Sequence, residues 1–119
     1  MEISEYQEKV LSTAVYPGQH SVKGLEYTLF GALGELGEIA NKYKKILRKG
    51  DDVYKHAGDL MEETGDALWY LVAFLDELGY DTDYAAQHNV NKLQGRKAQG
   101  TLKDRKPEEV KETHNETNV

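Results

Sequence analysis

The chain has 119 residues, a formal net charge of −6 and no cysteine. This length predicts one domain, and the negative charge argues against a nonspecific nucleic-acid binder, which needs a basic face. Without cysteine there are no disulfides, thiolate metal sites or cysteine nucleophile. No stretch approaches the ~20 apolar residues of a membrane span, and the charged N-terminus does not resemble a signal peptide. We therefore expect a cytoplasmic protein with no membrane or nucleic-acid partner.

The first half of the chain predicts two helices. Ser4 and Gln7 fit a capping box that opens a helix over about residues 4–16. A second helix is predicted over about residues 25–49, where apolar residues recur at helical spacing before Gly50.

Two more helices are predicted in the second half. The third covers about residues 51–78, with Asp51 or Asp52 as its cap and a break near Gly58. The fourth covers about residues 81–95. With no strand pattern anywhere, the sequence predicts an all-α, four-helix bundle-like fold.

The composition changes after Lys97, where few apolar residues remain. A segment of this kind cannot bury enough apolar surface to offset the entropy of ordering it. We therefore expect a domain over residues 1–97 and a loop with a disordered tail over residues 98–119.

Two pairs of carboxylates lie on the second and third helices. Glu35 and Glu38 form one pair, and Glu63 and Asp66 form the other. Residues three apart share a helix face, and both pairs flank an apolar stripe. Burying unpaired carboxylates there would cost several kcal/mol, which a divalent cation removes. Four oxygen ligands of this kind suit Mg²⁺, with Mn²⁺ as a substitute.

The same acids also have an ordinary interpretation as a solvated helix surface. Glu38 and Lys42 are spaced as a favourable i, i+4 ion pair. Glycines beside the acids argue the other way, because each interior glycine costs ~1 kcal/mol relative to alanine. We expect them to leave space for a close helix or a ligand, and they are Gly31, Gly34, Gly37 and Gly65.

The stretch GELGEIANKYKKILR followed by EETGDALWYL resembles the MazG-type nucleotide pyrophosphohydrolases of the all-α nucleoside triphosphate pyrophosphatases. The family motif E-x-x-E, an interval, then E-x-x-D is matched by the two carboxylate pairs. The family's N-x-x-K-L-x-x-R segment is matched by Asn89, Lys92 and Arg96. The resemblance covers about residues 5–100.

The resemblance implies Mg²⁺-dependent hydrolysis of a nucleoside triphosphate to a monophosphate and pyrophosphate, in a homodimer or a dimer of dimers whose sites are partly shared between chains. Two metal ions would activate a water, with Glu38 as the candidate catalytic base. Candidate ligands for the substrate's phosphates or sugar are Lys42, Lys45, Asn89, Lys92 and Arg96.

Three alternatives stay open at this point. The substrate can be a dUTP- or dCTP-type nucleotide, or phosphoribosyl-ATP, with the same cluster of acids. The chain can also be a non-catalytic helical oligomerisation module whose acids only add solubility. Trp69 and Tyr70 are more typical of a core or a dimer interface than of a base-stacking site.

Overall fold

The computed structural model describes residues 1–102, and this part of the chain is helical with no β-strand. The prediction of an all-α fold with four helices is confirmed. The segments are α1 (Ile3–Ser12), α2 (Val22–Lys49), a 3₁₀ turn (Val53–His56), α3 (Ala57–Glu77) and α4 (Thr82–Ala98). No helix among the described residues is long and apolar enough to cross a membrane.

Helices α2 and α3 form an antiparallel hairpin that accounts for most of the helix packing. Gly50 ends α2 in the left-handed conformation, with φ 66°, which lets the chain reverse. Gly31 of α2 faces Tyr70 of α3, and Lys42, later in α2, contacts Asp59, which is earlier in α3. The two helices therefore run in opposite directions. The acidic residues of both helices therefore lie on one hairpin.

Helices α1 and α4 pack against α3 and against each other, and neither packs against α2. The buried core at this side contains Val10, Tyr16, Val72 and Ala73. Gln7 joins the two outer helices, because its side-chain Oε1 accepts a hydrogen bond of 2.6 Å from the backbone N–H of Thr82 at the start of α4. A buried backbone N–H needs such a partner.

The segment between α1 and α2 is anchored to α3 at two points. Trp69 Nε1 donates to Thr13 Oγ1 at 2.8 Å. The backbone N–H of His20, a residue with a positive φ of 62°, donates to both carboxylate oxygens of Glu77 at 2.7 and 2.9 Å. These contacts hold the segment that follows α1 against α3.

The boundaries of α1 differ from the prediction. The helix begins at Ile3 with Glu2 as its N-cap, so the predicted capping box of Ser4 and Gln7 is wrong: Gln7 is engaged with α4 instead. The helix ends at Ser12 rather than at residue 16. The Thr13 hydroxyl donates to the Val10 carbonyl at 3.0 Å, and side-chain hydroxyls that satisfy the last carbonyls compete with continuation of a helix.

The predicted third helix is split. Asp52 caps the 3₁₀ turn by accepting from the Tyr54 N–H at 3.0 Å, and α3 begins only at Ala57, close to the predicted break. Helix α4 continues to Ala98, past the predicted end near residue 95. The predicted disordered tail falls on residues 103–119, which lie outside the described residues.

The apolar stripe of α2 is only partly covered by the rest of the described chain. Ala32 and Ile46 are buried, whereas Leu36 and Leu47 are 49% and 67% exposed. Other large apolar side chains that stay exposed on the hairpin are Phe30, Leu33, Met61 and Leu68. An apolar surface of this extent marks an interaction site more often than free solvent.

Candidate metal centre and adjoining cavities

Three carboxylates from the hairpin converge. Glu35 comes from α2, and Glu63 and Asp66 come from α3; one oxygen of each lies within 4.8 Å of the others. Glu63 and Asp66 share a face of α3 because they are three residues apart, and the antiparallel packing brings Glu35 opposite them. Glu35 and Glu63 are half-buried, whereas Asp66 is exposed.

The cluster carries unfavourable negative charge. Burial raises the pKa of the Glu35 carboxyl above its ordinary value, and the hydrogen bond with Glu63 and the charge of Asp66 raise it further. Removing such carboxylates from water while they repel each other favours either a proton or a cation between them. The donors are carboxylate oxygens only, which fits a hard divalent cation such as Mg²⁺ or Mn²⁺.

Lys42 neutralises part of this charge. Its Nζ lies 2.9 Å from Glu63 Oε1 and 2.9 Å from Asp59 Oδ1, so the ammonium joins α2 to two acids of α3. The hydrogen bond from Lys42 lowers the pKa of Glu63, with a further contribution from Glu35. The hydrogen bonds of Lys42 to Glu63 and to Asp59 raise the pKa of Lys42, and the one to Glu63 has the larger effect. Lys42 therefore belongs to the acidic row in this structure.

Glu38 occupies a different position from the other three predicted metal ligands. It is exposed on α2 and lies outside the cluster of three carboxylates found in the described residues. It is still close enough for its charge to contribute to the raised pKa of Glu35. The sequence favours a Glu38–Lys42 pair, but the Lys42 ammonium is bonded across the hairpin, where two carboxylates accept from it together.

A cavity of about 410 Å³ adjoins the cluster. Its walls are Thr13, Glu35, Asp66, Trp69 and Tyr70. The cavity is large enough for a small organic ligand, and it offers aromatic surface on one side and carboxylates on the other.

A glycine makes room for one wall of that cavity. The Tyr70 ring lies so close to Gly31 of α2 that a β-carbon at this position would overlap the ring. This accounts for one of the four glycines beside the acids. Gly34, Gly37 and Gly65 face open space instead, because no atom from the rest of the described chain lies within 4 Å of the point that a β-carbon would occupy.

A second cavity of about 190 Å³ continues from the first and shares Thr13, Trp69 and Tyr70 with it. Tyr16 and Tyr27 line its far side, with their rings stacked at a centroid distance of 5.7 Å. Aromatic surface therefore extends away from the acids in this direction.

The candidate phosphate ligands fall into two groups. Lys42, Lys45 and Lys49 line a cavity of about 170 Å³ at the C-terminal end of α2, with Asp59 and with His56, which is paired with Asp51 in the same wall. The three lysines outnumber the two aspartates, so we call it the basic cavity. This basic cavity adjoins the acidic cluster through Lys42, which contacts Glu63.

The second group lies on α4. Asn89 and Lys92 line a cavity of about 290 Å³ with Tyr80, Tyr84 and His88, and Arg96 is buried within α4. None of the residues lining this cavity belongs to the carboxylate cluster.

Sequence reasoning misses the role of Thr13, because nothing local links it to Trp69, which is 56 residues away. The expectation of a core position is supported for Trp69, which packs against the buried core, but it leaves out that Trp69 and Tyr70 also line the cavity beside the acids. Their spacing from Asp66, three and four residues along α3, is the available signal that they share its face.

The chain is thus an all-α protein with a carboxylate cluster beside a cavity, and comparison with known sequences gives its family. The model of the MazG nucleotide pyrophosphohydrolase domain matches residues 24–101, more than half of the chain. The chain therefore belongs to the MazG family, whose members generally use divalent metals.

A relative in Mycobacterium phage L5, named Gene 37 protein, is 42% identical over 107 residues. The alignment covers 86% of this chain and 94% of the phage protein, so the two are similar along nearly their whole lengths. No solved structure matched this chain.

Proposed function

We propose that the chain is a Mg²⁺-dependent nucleoside triphosphate pyrophosphohydrolase, converting a (d)NTP and water to a (d)NMP and pyrophosphate. The observation that carries this proposal is the cluster of Glu35, Glu63 and Asp66, of which Glu35 and Asp66 line the 410 Å³ cavity. Membership of the MazG family supports the same reaction. The absence of cysteine suits a reducing compartment such as the cytoplasm.

Glu35, Glu63 and Asp66 would hold the cation, with Glu38 able to join them from the exposed side of α2. A bound divalent cation neutralises phosphate charge and makes water more acidic. Glu38 is exposed to solvent and one turn from Glu35, so it can accept a proton from the attacking water.

The cavities on either side of the cluster suggest an orientation for the substrate. The aromatic side chains Trp69 and Tyr70 offer flat apolar surface for a base. Lys42 and Lys45 lie on the other side and can hold the β- and γ-phosphates. In this orientation the α-phosphate lies beside the carboxylates, and pyrophosphate departs toward the lysines.

We further propose that the working enzyme is a homodimer or a dimer of dimers. Apolar side chains such as Phe30 and Leu33 are exposed on the hairpin, and packing against a second copy of the chain would bury them. An assembly can also bring Asn89, Lys92 and Arg96 of one chain to the carboxylates of another.

Mixing two inactive variants tests the shared site. Glu63→Gln and Lys92→Met are each expected to be inactive alone, and a mixture allowed to exchange subunits should regain part of the activity. Analytical ultracentrifugation gives the oligomeric state. A strictly monomeric active enzyme would refute this part of the proposal.

The reaction itself is tested by incubating each nucleoside triphosphate with Mg²⁺ and separating monophosphate from diphosphate products. The panel includes dUTP, dCTP and phosphoribosyl-ATP, which decides among the related substrates. Glu63→Gln should lower the rate by at least about 10–100-fold, since even groups behind metal ligands have effects of this size. Glu62→Gln, at an exposed neighbour outside the cluster, is the matched control.

Pyrophosphate release from no member of the panel would refute the enzymatic proposal and favour a non-catalytic oligomerisation module. An equal rate for Glu63→Gln and the wild type at saturating Mg²⁺ would instead refute the assignment of the cluster.

A further inference from the structure

Lys42 occupies the place where the acidic cluster meets the basic cavity. Its ammonium contacts Glu63 and Asp59 at 2.9 Å each, and its side chain is 29% exposed. We propose that Lys42 is the resident counter-ion of Glu63 in the cation-free protein, and that a divalent cation displaces it from Glu63. This inference rests on the proposed function, because it takes the carboxylate cluster as the cation site.

The two positive charges compete for one carboxylate. The oxygens of the cluster lie within 4.8 Å of one another, and Lys42 Nζ is 2.9 Å from Glu63 Oε1. A divalent cation among those oxygens would therefore lie close to the ammonium. Glu63 is only 19% exposed, so water and salt screen the repulsion incompletely. The lysine is the mobile charge of the two, because its stem is long and flexible.

Asp59 gives the displaced ammonium a place to remain. Asp59 already accepts from Lys42 and is 57% exposed, so this contact can persist after the one to Glu63 breaks. Asp59 and Lys42 both line the basic cavity with Lys45 and Lys49. Displacement therefore moves a positive charge from the cation site to the cavity proposed for the leaving phosphates, and cation binding strengthens anion binding there.

The measurement is Mn²⁺ affinity without any nucleotide, from the loss of the free-ion electron paramagnetic resonance signal on titration. Lys42→Met removes the competitor and should bind Mn²⁺ about tenfold more tightly or better, the size of one close charge interaction. Lys44→Met is the control, since it makes the same charge change on α2 at an exposed residue that forms no ion pair in the described part of the chain. Its affinity should match that of the wild type.

Lys42→Arg keeps the charge and should stay closer to the wild type than Lys42→Met does. Circular dichroism establishes that each variant is folded before the titration. If Lys42→Met does not fold, nuclear magnetic resonance of the wild type itself takes the place of the variant comparison.

Lysine side-chain ¹Hε–¹³Cε spectra of the wild type follow the displacement directly. These carbon-bound protons do not exchange with water, so Mg²⁺ should shift the Lys42 signal while leaving that of the exposed Lys44 unchanged. A Lys42 signal that Mg²⁺ leaves unaltered at saturation would overturn the displacement.

The outcomes separate the two proposals. Wild-type binding of Mn²⁺ with equal or weaker binding by Lys42→Met overturns displacement and leaves the proposed function standing. Failure of both the wild type and Lys42→Met to bind Mn²⁺ overturns displacement, whereas the proposed function is decided separately by the pyrophosphate-release panel. Tighter binding by Lys42→Met, lost again in the Lys42→Met, Glu63→Gln double variant, supports both.

Discussion

Replacing Gly31 with alanine should destabilise the protein even though alanine is the better helix former. In an open helical position the exchange gains up to about 1 kcal/mol. At Gly31 the new β-carbon would overlap three atoms of the Tyr70 ring, Cε1, Cδ1 and Cζ. An aromatic ring moves as a unit, so relief needs a shift of the ring or of α2 against α3. Overpacking of this kind costs about 1–3 kcal/mol.

Gly34→Ala is the matched control, because it lies one turn along the same helix and nothing from the rest of the described chain lies within 4 Å of its added carbon. The helix gain is common to both variants, so their unfolding free energies should differ by about 1–3 kcal/mol. Urea denaturation monitored by circular dichroism measures this difference. Both are measured at several protein concentrations, because an assembly that covers Gly34 would make its effect depend on concentration.

The Tyr70→Ala background isolates the cause. Without the ring, Gly31→Ala should become neutral or stabilising by up to about 1 kcal/mol. Equal destabilisation by Gly31→Ala in both backgrounds would refute the reasoning, since the loss could not then come from the ring.

Three further predictions concern the outer helices, the acids and the cation. Gln7→Ala should destabilise the protein by about 1–3 kcal/mol in urea denaturation, because it leaves the buried Thr82 N–H without its acceptor. Gln87→Ala, at an exposed side-chain contact, is the control and should change the unfolding free energy by less than about 0.5 kcal/mol. Equal effects of the two variants would contradict the role of Gln7 as acceptor. Glu35→Gln should raise the Tm at pH 7 in the absence of divalent cations, because glutamine is neutral like the protonated glutamate. The pKa of Glu35 is raised in the folded state, so protonation of Glu35 stabilises the protein fully below the ordinary pKa of 4.5. This stabilisation is lost as the pH rises through the folded-state pKa. The gain should vanish at pH 3, and a Tm lowered at pH 7 would count against the repulsion. Mg²⁺ at a hundred times its Kd should stabilise the wild type by about 2.7 kcal/mol, or roughly 10 °C in Tm, and should leave the Tm of Glu63→Gln unchanged. Thermal unfolding with and without a chelator measures this shift. An unchanged wild-type Tm would argue for a non-catalytic module.

The helical fold and the approach of three acids are predictable from the sequence for the same reason. Helical periodicity puts Glu63 and Asp66 on one face, and a short connection after Gly50 makes α2 and α3 neighbours. Glu35 then meets them once the hairpin closes. These relations depend on spacing and chain length, which are visible without coordinates. The predicted capping box is wrong because the Gln7 side chain accepts a buried hydrogen bond from the backbone N–H of Thr82, 75 residues away.

The remaining features depend on tertiary contacts that no local pattern encodes. Lys42 is suitably spaced to pair with Glu38, yet it bonds to Asp59 and Glu63 across the hairpin. Which carboxylates pair with Lys42 depends on the distance between α2 and α3, and residue spacing along α2 alone does not give that distance. Thr13 likewise acquires its place in the cavity from Trp69 on a distant helix.

The anchoring of the segment between α1 and α2 to α3 has a consequence for the order of folding. Glu35 lies 28 residues before Glu63 in the chain, because 63 − 35 = 28, whereas Thr13 and Trp69 are 56 residues apart and His20 and Glu77 are 57 residues apart. Short loops close at lower entropic cost. Charge repulsion between the acids is thus met early in folding, before the N-terminal segment encloses the aromatic wall, and Lys42 on the same hairpin is available to relieve it from the start.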